Sequence, residues 1–301
     1  MDDVNSIFYK FQVTLTIVVS ISTVILTYFA VTILIKRNVY STGTKKIFFL
    51  AMVFSVCHNI IVMLFRVADL VKVTTAADPC EVLYKTSDCR HFSHFWVFSF
   101  TGMILTVTFL SVERLLDFLK TDFKLGTSTV IVCAIFITLV SIFGTWPLVE
   151  AKGPEEQLQS CMHFASYNHN DVAIQSSLTL VLCTFNFFSC ASLLTISARR
   201  RKITALQYNM KETYKAFESL TTCQAIFVIS TFQQIFMMLT AFEPNLNHYL
   251  LGISFHYAAL SLPLTIVVMS GWVKKQRMTK IEMVRSFKIQ DQLGYISDSW
   301  K

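Results

Sequence analysis

Charge is the first thing this sequence is short of. Only 15% of its 301 residues are Asp, Glu, Lys or Arg, where a soluble domain carries roughly 25%, and 53% are hydrophobic. That balance excludes an ordinary soluble enzyme. Also missing are a His-Glu-x-x-His zinc pattern, a Gly-x-Ser-x-Gly nucleophile turn and a phosphate loop, which removes the commonest signatures of hydrolysis and phosphoryl transfer. No Asn-x-Ser/Thr acceptor occurs, so glycosylation offers no independent marker of the outer side. The first ten residues, MDDVNSIFYK, hold two acids and lack the basic start of a cleavable signal peptide. The first apolar run therefore reads as a true membrane span.

In place of charge there are seven long apolar runs, near 11–35, 47–71, 91–116, 127–149, 173–197, 220–242 and 249–272. The second and sixth are the weakest. A bilayer core takes about 20 apolar residues per spanning helix, and backbone groups in lipid must pair internally, so runs of this length read as helices. The expected fold is all-α, a single seven-transmembrane helical bundle over 1–301, with a tail from Val273 to Lys301. Orientation follows from Lys and Arg, which concentrate in cytoplasmic loops. With the N-terminus outside, twenty of the 26 lie on the inner side. Those left outside are Lys10, Arg66, Lys72, Lys85, Arg90 and Lys152. The net charge of +7 then reflects topology and anionic inner-leaflet lipid, and nucleic acid is not called for.

Five cysteines, Cys57, Cys133, Cys183, Cys190 and Cys223, fall inside spans, where a thiol behaves as a small buried hydrophobe. Cys80, Cys89 and Cys161 face the oxidising side, and three cannot all pair in one chain. A Cys89–Cys161 bridge would pin the loop before the fifth span over the bundle, whereas Cys80–Cys89 would close a short loop. Spacing alone does not decide between them, and the first is preferred.

The third run ends in "TVTFLSVERLLDFLK", where Glu113 and Arg114 interrupt apolar sequence. An acid and a base at a helix end can serve as an interfacial stop. Cys89, however, precedes Arg114 by 25 residues, and this separation resembles that between the outer cysteine of the third helix and the arginine of the Asp/Glu-Arg-Tyr motif in rhodopsin-like G-protein-coupled receptors. Leu115 replaces the tyrosine. In "SLPLTIVVMSGW", Pro263 resembles the proline of Asn-Pro-x-x-Tyr, with Leu262 and Ile266 in place of its polar partners. The sixth span lacks the proline and tryptophan of that family's hinge, and the second has Asn59 but no central aspartate. Seven spans, "DPC" followed by a second cysteine, and "VER" at the end of the third helix together resemble the nematode serpentine chemoreceptors, the class alpha group above all.

That resemblance implies a plasma-membrane receptor, in sensory cilia, that takes a small molecule from outside and activates a heterotrimeric G protein without cofactor or catalysis. Arg114 would be held at rest by Glu113, with Glu218 at the inner end of the sixth span as a second anchor, and released on activation. Arg199, Arg200, Arg201 and Lys202 would meet the G protein, although a polybasic loop also simply fixes topology. Trp96 and Phe100 on the third span, with Gly252, Phe255 and His256 on the seventh, would line the ligand cavity. After Gly271, Met278, Ile281, Val284 and Phe287 recur at helical spacing among basic residues, as in a short helix lying on the inner leaflet.

The remaining polar residues have plainer readings. Arg66 and Asp69, three apart, can pair with each other on one helix face. His91 and His94 have helical spacing but no nearby carboxylate in their own run to complete a metal site, so none is assigned. A membrane zinc hydrolase would need facing His, Asp or Glu groups, and the deep histidines, His58 and His256, have no acidic partner in their own runs. A transporter would show internal repeats and broken helices, and neither is evident.

Overall fold

The computed structural model describes residues 7–36, 40–76, 83–119, 126–146, 155–158, 169–206, 210–242 and 256–275. Almost all of them are helical. The helices are α1 (Ile7–Lys36), α2 (Thr42–Thr75), α3 (Thr86–Leu119), α4 (Thr127–Thr145), α5 (His169–Leu206), α6 (Met210–Phe242) and α7 (His256–Lys275). Each falls on one of the seven apolar runs, and several continue past the bilayer-length segment. α5 carries its RRRK stretch as helix, and α6 begins ten residues before its apolar run. The amphipathic segment expected after α7 lies outside the described residues.

Among the described residues, six of the seven are long and apolar enough to cross a membrane. Thr221, Thr222, Gln224, Gln233 and Gln234 dilute the apolar run of α6, which is why the sixth run, with the second, reads as one of the two weakest. Elsewhere lipid exposure is plain: Phe11, Ile25, Tyr28, Phe136, Phe143 and Phe188 point away from the bundle, as expected where the solvent is hydrocarbon. Cys57 also faces outward and Cys133 is half-covered, whereas Cys183, Cys190 and Cys223 are buried. Burial of all five was the expectation. A thiol is apolar enough to face lipid as readily as core.

Two apolar clusters fill the bundle. The inner one joins Leu34, Phe48, Leu110, Ile226, Leu262 and Ile266, so the two residues that replace the asparagine and tyrosine of α7 are packed core. Toward the outer side, Phe54, Trp96, Phe100, Met103, Met237 and Ala259 form the second. α2 and α3 cross tightly there, because a Cβ on Gly102 would lie 2.6 Å from Phe54 Cδ1. Glycine lets the ring lie on the backbone of α3.

Pro263 stands in the middle of α7 and has no N–H to give the carbonyl four residues back. That carbonyl belongs to Ala259, and Ser55 Oγ of α2 donates to it at 3.0 Å. A helix break in lipid is tolerated when a neighbouring side chain serves the freed group in this way.

On the outer side, β1 (Tyr84–Lys85) pairs antiparallel with β2 (Gln157–Leu158), Tyr84 opposite Leu158. Thr86 N and Oγ1 both donate to Glu156 O, at 3.1 and 2.9 Å, and Ser87 Oγ donates to Glu155 Oε1 at 2.8 Å. The segment leading to α5 is thereby tied to the mouth of α3. Strands of two residues leave no periodic trace, and the sequence reading missed this pair.

Candidate functional site

At the inner end of α3, Glu113 and Arg114 are buried, 3% and 6% exposed. A charge at that depth costs at least about 2.5 kcal/mol unless paired, and the pairing is thorough. Arg114 Nε donates to Glu113 Oε2 at 2.5 Å, and Nη2 donates to Glu113 Oε1, so the guanidinium grips the carboxylate with two nitrogens. Nη2 also donates to Thr44 Oγ1 of α2 at 3.0 Å. Nη1 reaches Asp117 Oδ2 at 3.5 Å. Thr44 is in turn hydrogen-bonded to Ser41, Oγ to Oγ1 at 2.7 Å, and Ser41 caps α2 by accepting from Thr44 N at 3.2 Å.

The geometry corrects the expectation for Glu218. No ion pair joins it to Arg114 among the described residues; it bears on Arg114 only through its field, which it shares with Asp117, Glu113 and Lys45. The place of the second anchor is taken by Asp117 and Thr44. Asp117 was legible as an acid one turn beyond Arg114. Thr44, 70 residues away, became visible only with the crossing of α2 and α3.

The basic end of α5 adjoins this site. Arg199 and Lys202 are exposed, and Arg201 lies over the Phe217 ring of α6, 5.1 Å from its centroid. Among the described residues α5 and α6 also meet through Phe187 and Phe227, 5.5 Å apart, Ser197 and Cys223 at 3.7 Å, and Thr184 and Gln234 at 3.1 Å.

The outer half holds a second polar group. His58 of α2, Ser99 of α3 and His256 of α7 are all buried. His58 Nδ1 is 3.3 Å from Ser99 Oγ, and its Nε2 is 3.2 Å from His256 Nδ1. Trp96 stacks near His58 at 6.3 Å between centroids, and Phe100 lies at 6.1 Å. Trp96, Phe100 and His256, three of the expected pocket residues, thus gather here; Gly252 and Phe255 lie outside the described residues. The two histidines, which lacked acidic partners in their own runs, are each other's partners. Arg66 and Asp69 pair at 3.3 Å, as their spacing suggested. Among the described residues no group of three or more His, Cys, Asp or Glu side chains gathers as for a metal ion.

Cys89 is buried beside Phe65 and Leu158 of β2. Cys80 and Cys161 lie outside the described residues.

A bundle of this layout, with a buried acid–arginine pair closing the inner end of its third helix, defines a seven-transmembrane protein of the G-protein-coupled receptor fold. Squid rhodopsin shares it, with a TM-score of 0.57 at 12% identity over 90% of this chain and 85% of that one. The family described as "Serpentine type 7TM GPCR chemoreceptor Sra" matches residues 1–297, and the chain belongs to that family. Among its relatives, serpentine receptor class alpha-13 of Caenorhabditis elegans is 24% identical over 97% of this chain and 93% of its own length. Class alpha-10 of Caenorhabditis briggsae is 27% identical over 78% of this chain and 71% of its own. This is a family of membrane receptors and not of enzymes.

Proposed function

We propose that this chain is a chemosensory receptor of the plasma membrane, in sensory cilia, which binds a small molecule from the outer side and activates a heterotrimeric G protein. The observation that carries the reading is the buried Glu113–Arg114 pair, tied to α2 through Thr44. A guanidinium held in this way is a switch element with two arrangements: paired inside the bundle, or released toward a partner at the inner face. A ligand favours release by binding that arrangement better, and ligand and G protein then promote each other's binding. Trp96, Phe100 and His256, together with Gly252 and Phe255, form the ligand pocket in this reading, because aromatic walls with few polar groups suit a small, largely apolar molecule. Arg199, Arg200, Arg201 and Lys202 extend the coupling surface.

Cys89, which is disulfide-bonded, is paired in this reading with Cys161. Support comes from the β1–β2 ladder, which holds Leu158, three residues before Cys161, against Cys89.

The test is a G-protein activation assay in cells expressing the chain, screened with pooled volatile and water-soluble compounds, beside Arg114→Ala at matched surface level. The expected result is a response in the parent chain that falls at least about tenfold in the variant, the scale for losing a buried charge-assisted contact. An undiminished response would make Arg114 the charged end of a membrane helix and nothing more.

A further inference from the structure

Gln233 of α6 is a buried amide whose two polar atoms are both idle. It is 1% exposed, and among the described residues neither its Oε1 nor its Nε2 has a hydrogen-bond partner. Asn59, Asn186 and His256 each have one idle atom as well, but each keeps another at work. Asn59 Nδ2 donates to Ser55 O, Asn186 Nδ2 donates to Thr108 Oγ1, and His256 Nδ1 meets His58 Nε2. The next residue on α6, Gln234, donates to Thr184 of α5. Gln233 is left with both ends bare.

Helical spacing places this amide between the two apolar clusters. Ile226, Ile229, Gln233 and Met237 recur at steps of three and four residues, so they share one face of α6. Ile226 and Ile229 belong to the inner cluster with Leu110 of α3 and Leu262 of α7. Met237 belongs to the outer one with Trp96 and Phe100 of α3 and Ala259 of α7. Gln233 therefore lies on the face that α6 turns to the bundle interior, where one cluster gives way to the other. Apolar neighbours serve neither of its atoms. An idle buried donor or acceptor disfavours the arrangement that buries it by about 5- to 140-fold.

We infer that Gln233 is a built-in bias toward the released arrangement: its amide is unserved in the closed bundle and reached by water once the inner end opens and α6 draws away from α3 and α7. The inference rests on reading the chain as a receptor with a closed and a released arrangement, and it adds a residue that sets the balance between them. Arg114 and Gln233 then pull in opposite directions. The guanidinium has its bonds to Glu113, Thr44 and Asp117 in the closed bundle, whereas the amide gains bonds only on opening. Opposed terms of this kind keep two arrangements close enough in free energy for a ligand to shift them. An amide that merely fastened helices together would be paired across to a neighbour, as Gln234 is. An apolar side chain of the same length is therefore expected to tighten the closed bundle and weaken signalling.

The experiment replaces the amide by a thioether. Gln233→Met keeps an unbranched side chain and removes both strong hydrogen-bonding groups. The full chain in lipid nanodiscs is followed by thermal unfolding without ligand and by ligand-free nucleotide exchange on a panel of heterotrimeric G proteins, normalised to folded receptor. The substitution is made in the parent chain and in Thr44→Val, which lacks the bond from Arg114 to α2. Gln233→Met is expected to unfold at a higher temperature and to lower exchange about fivefold or more in both backgrounds. A structural role alone would move the midpoint and leave exchange per folded receptor unchanged. A higher midpoint with undiminished exchange therefore overturns the inference, because the amide would be equally bare in both arrangements. An unchanged or lower midpoint overturns it too, and assigns the amide to buried water. If Gln233→Met does not fold, Gln233→Leu decides by the same two readouts. Silence of both backgrounds without ligand also overturns the bias, whereas the receptor reading stands or falls on the compound screen and its Arg114→Ala control.

Discussion

Thr44→Val isolates one bond of the inner switch. Thr44 is fully buried, and its hydroxyl accepts from Arg114 Nη2 at 3.0 Å while bonding to Ser41 at 2.7 Å. Valine keeps the branched shape and removes both bonds. The cap of α2 survives, because it runs from the backbone N–H of residue 44 to Ser41 Oγ. A buried hydrogen bond to a charged group contributes about 1.5–3 kcal/mol. If it exists only at rest, its loss moves the equilibrium toward the released form by about 10- to 150-fold, at 1.4 kcal/mol per factor of ten. A receptor with about 1% of its molecules released before mutation would then have between about 10% and about 60% released.

The assay is ligand-free nucleotide exchange on the G protein, normalised to surface receptor. Thr44→Val is expected to raise it several-fold. Asp117→Asn should raise it less, since Asp117 is 31% exposed and sits 3.5 Å from Arg114, and partly exposed pairs contribute about 0–1 kcal/mol. Unchanged basal exchange in Thr44→Val, with Arg114→Ala still abolishing the response, would refute the claim that α2 holds the switch closed.

Three further outcomes follow from the packing. Ser55→Ala removes the donor that serves Ala259 O and should lower stability in nanodiscs by about 1–3 kcal/mol; adding Pro263→Ala, which restores the helical N–H, should recover most of it, and a thermal midpoint indifferent to Ser55→Ala would contradict the role given to that hydroxyl. Gly102→Val drives a side chain into Phe54 and should cost about 1–3 kcal/mol or more, partly regained with Phe54→Ala; an unaltered midpoint would mean α2 and α3 can separate freely. Ser197→Cys sets a second thiol beside Cys223, which Ser197 Oγ already meets at 3.7 Å, and oxidation should cross-link α5 to α6 without reducing the G-protein response. A response blocked by oxidation and restored by reductant would show that α6 swings away from α5.

The helices were legible because lipid forces backbone groups to pair within each segment, which turns hydrophobic length into structure almost directly. α6 was faint for the same reason, since its glutamines and threonines break the apolar run that carries the signal. Glu113 and Arg114 stood out as charges at a depth where charge is costly. Their anchors divided by sequence distance: Asp117, one turn away, follows from helical geometry, whereas Thr44 depends on how two helices cross. The same limit hid the contact between His58 and His256, 198 residues apart. Glu218 was named by likeness to other receptors, and the register of α6 against α3 leaves it within the field of Arg114 but out of contact. Pro263 was visible as a motif residue, yet the hydroxyl that repairs its break lies on another helix.

The sixth helix of this chain poses a mechanical question that the wiring of the bundle answers. Sharp bends in helices are localised by proline, by glycine and serine pairs, or by inserted groups, and residues 210–242 contain neither proline nor glycine. α6 is accordingly unbroken over its 33 residues. It is joined to α5 at separate levels by Arg201 on Phe217, Ser197 with Cys223, Phe187 on Phe227, and Thr184 with Gln234. Opening the inner face by bending α6 alone would break several of these contacts with no flexible residue to absorb the change. Moving α5 and α6 together breaks none of them, and no ion pair from Glu218 to Arg114 has to be severed first. In the switch reading, the inner end is held closed by the bond from Arg114 to Thr44 of α2, a contact that involves neither α5 nor α6. For that reason Thr44→Val is expected to open the switch, while the oxidised Ser197→Cys chain is expected to signal as before.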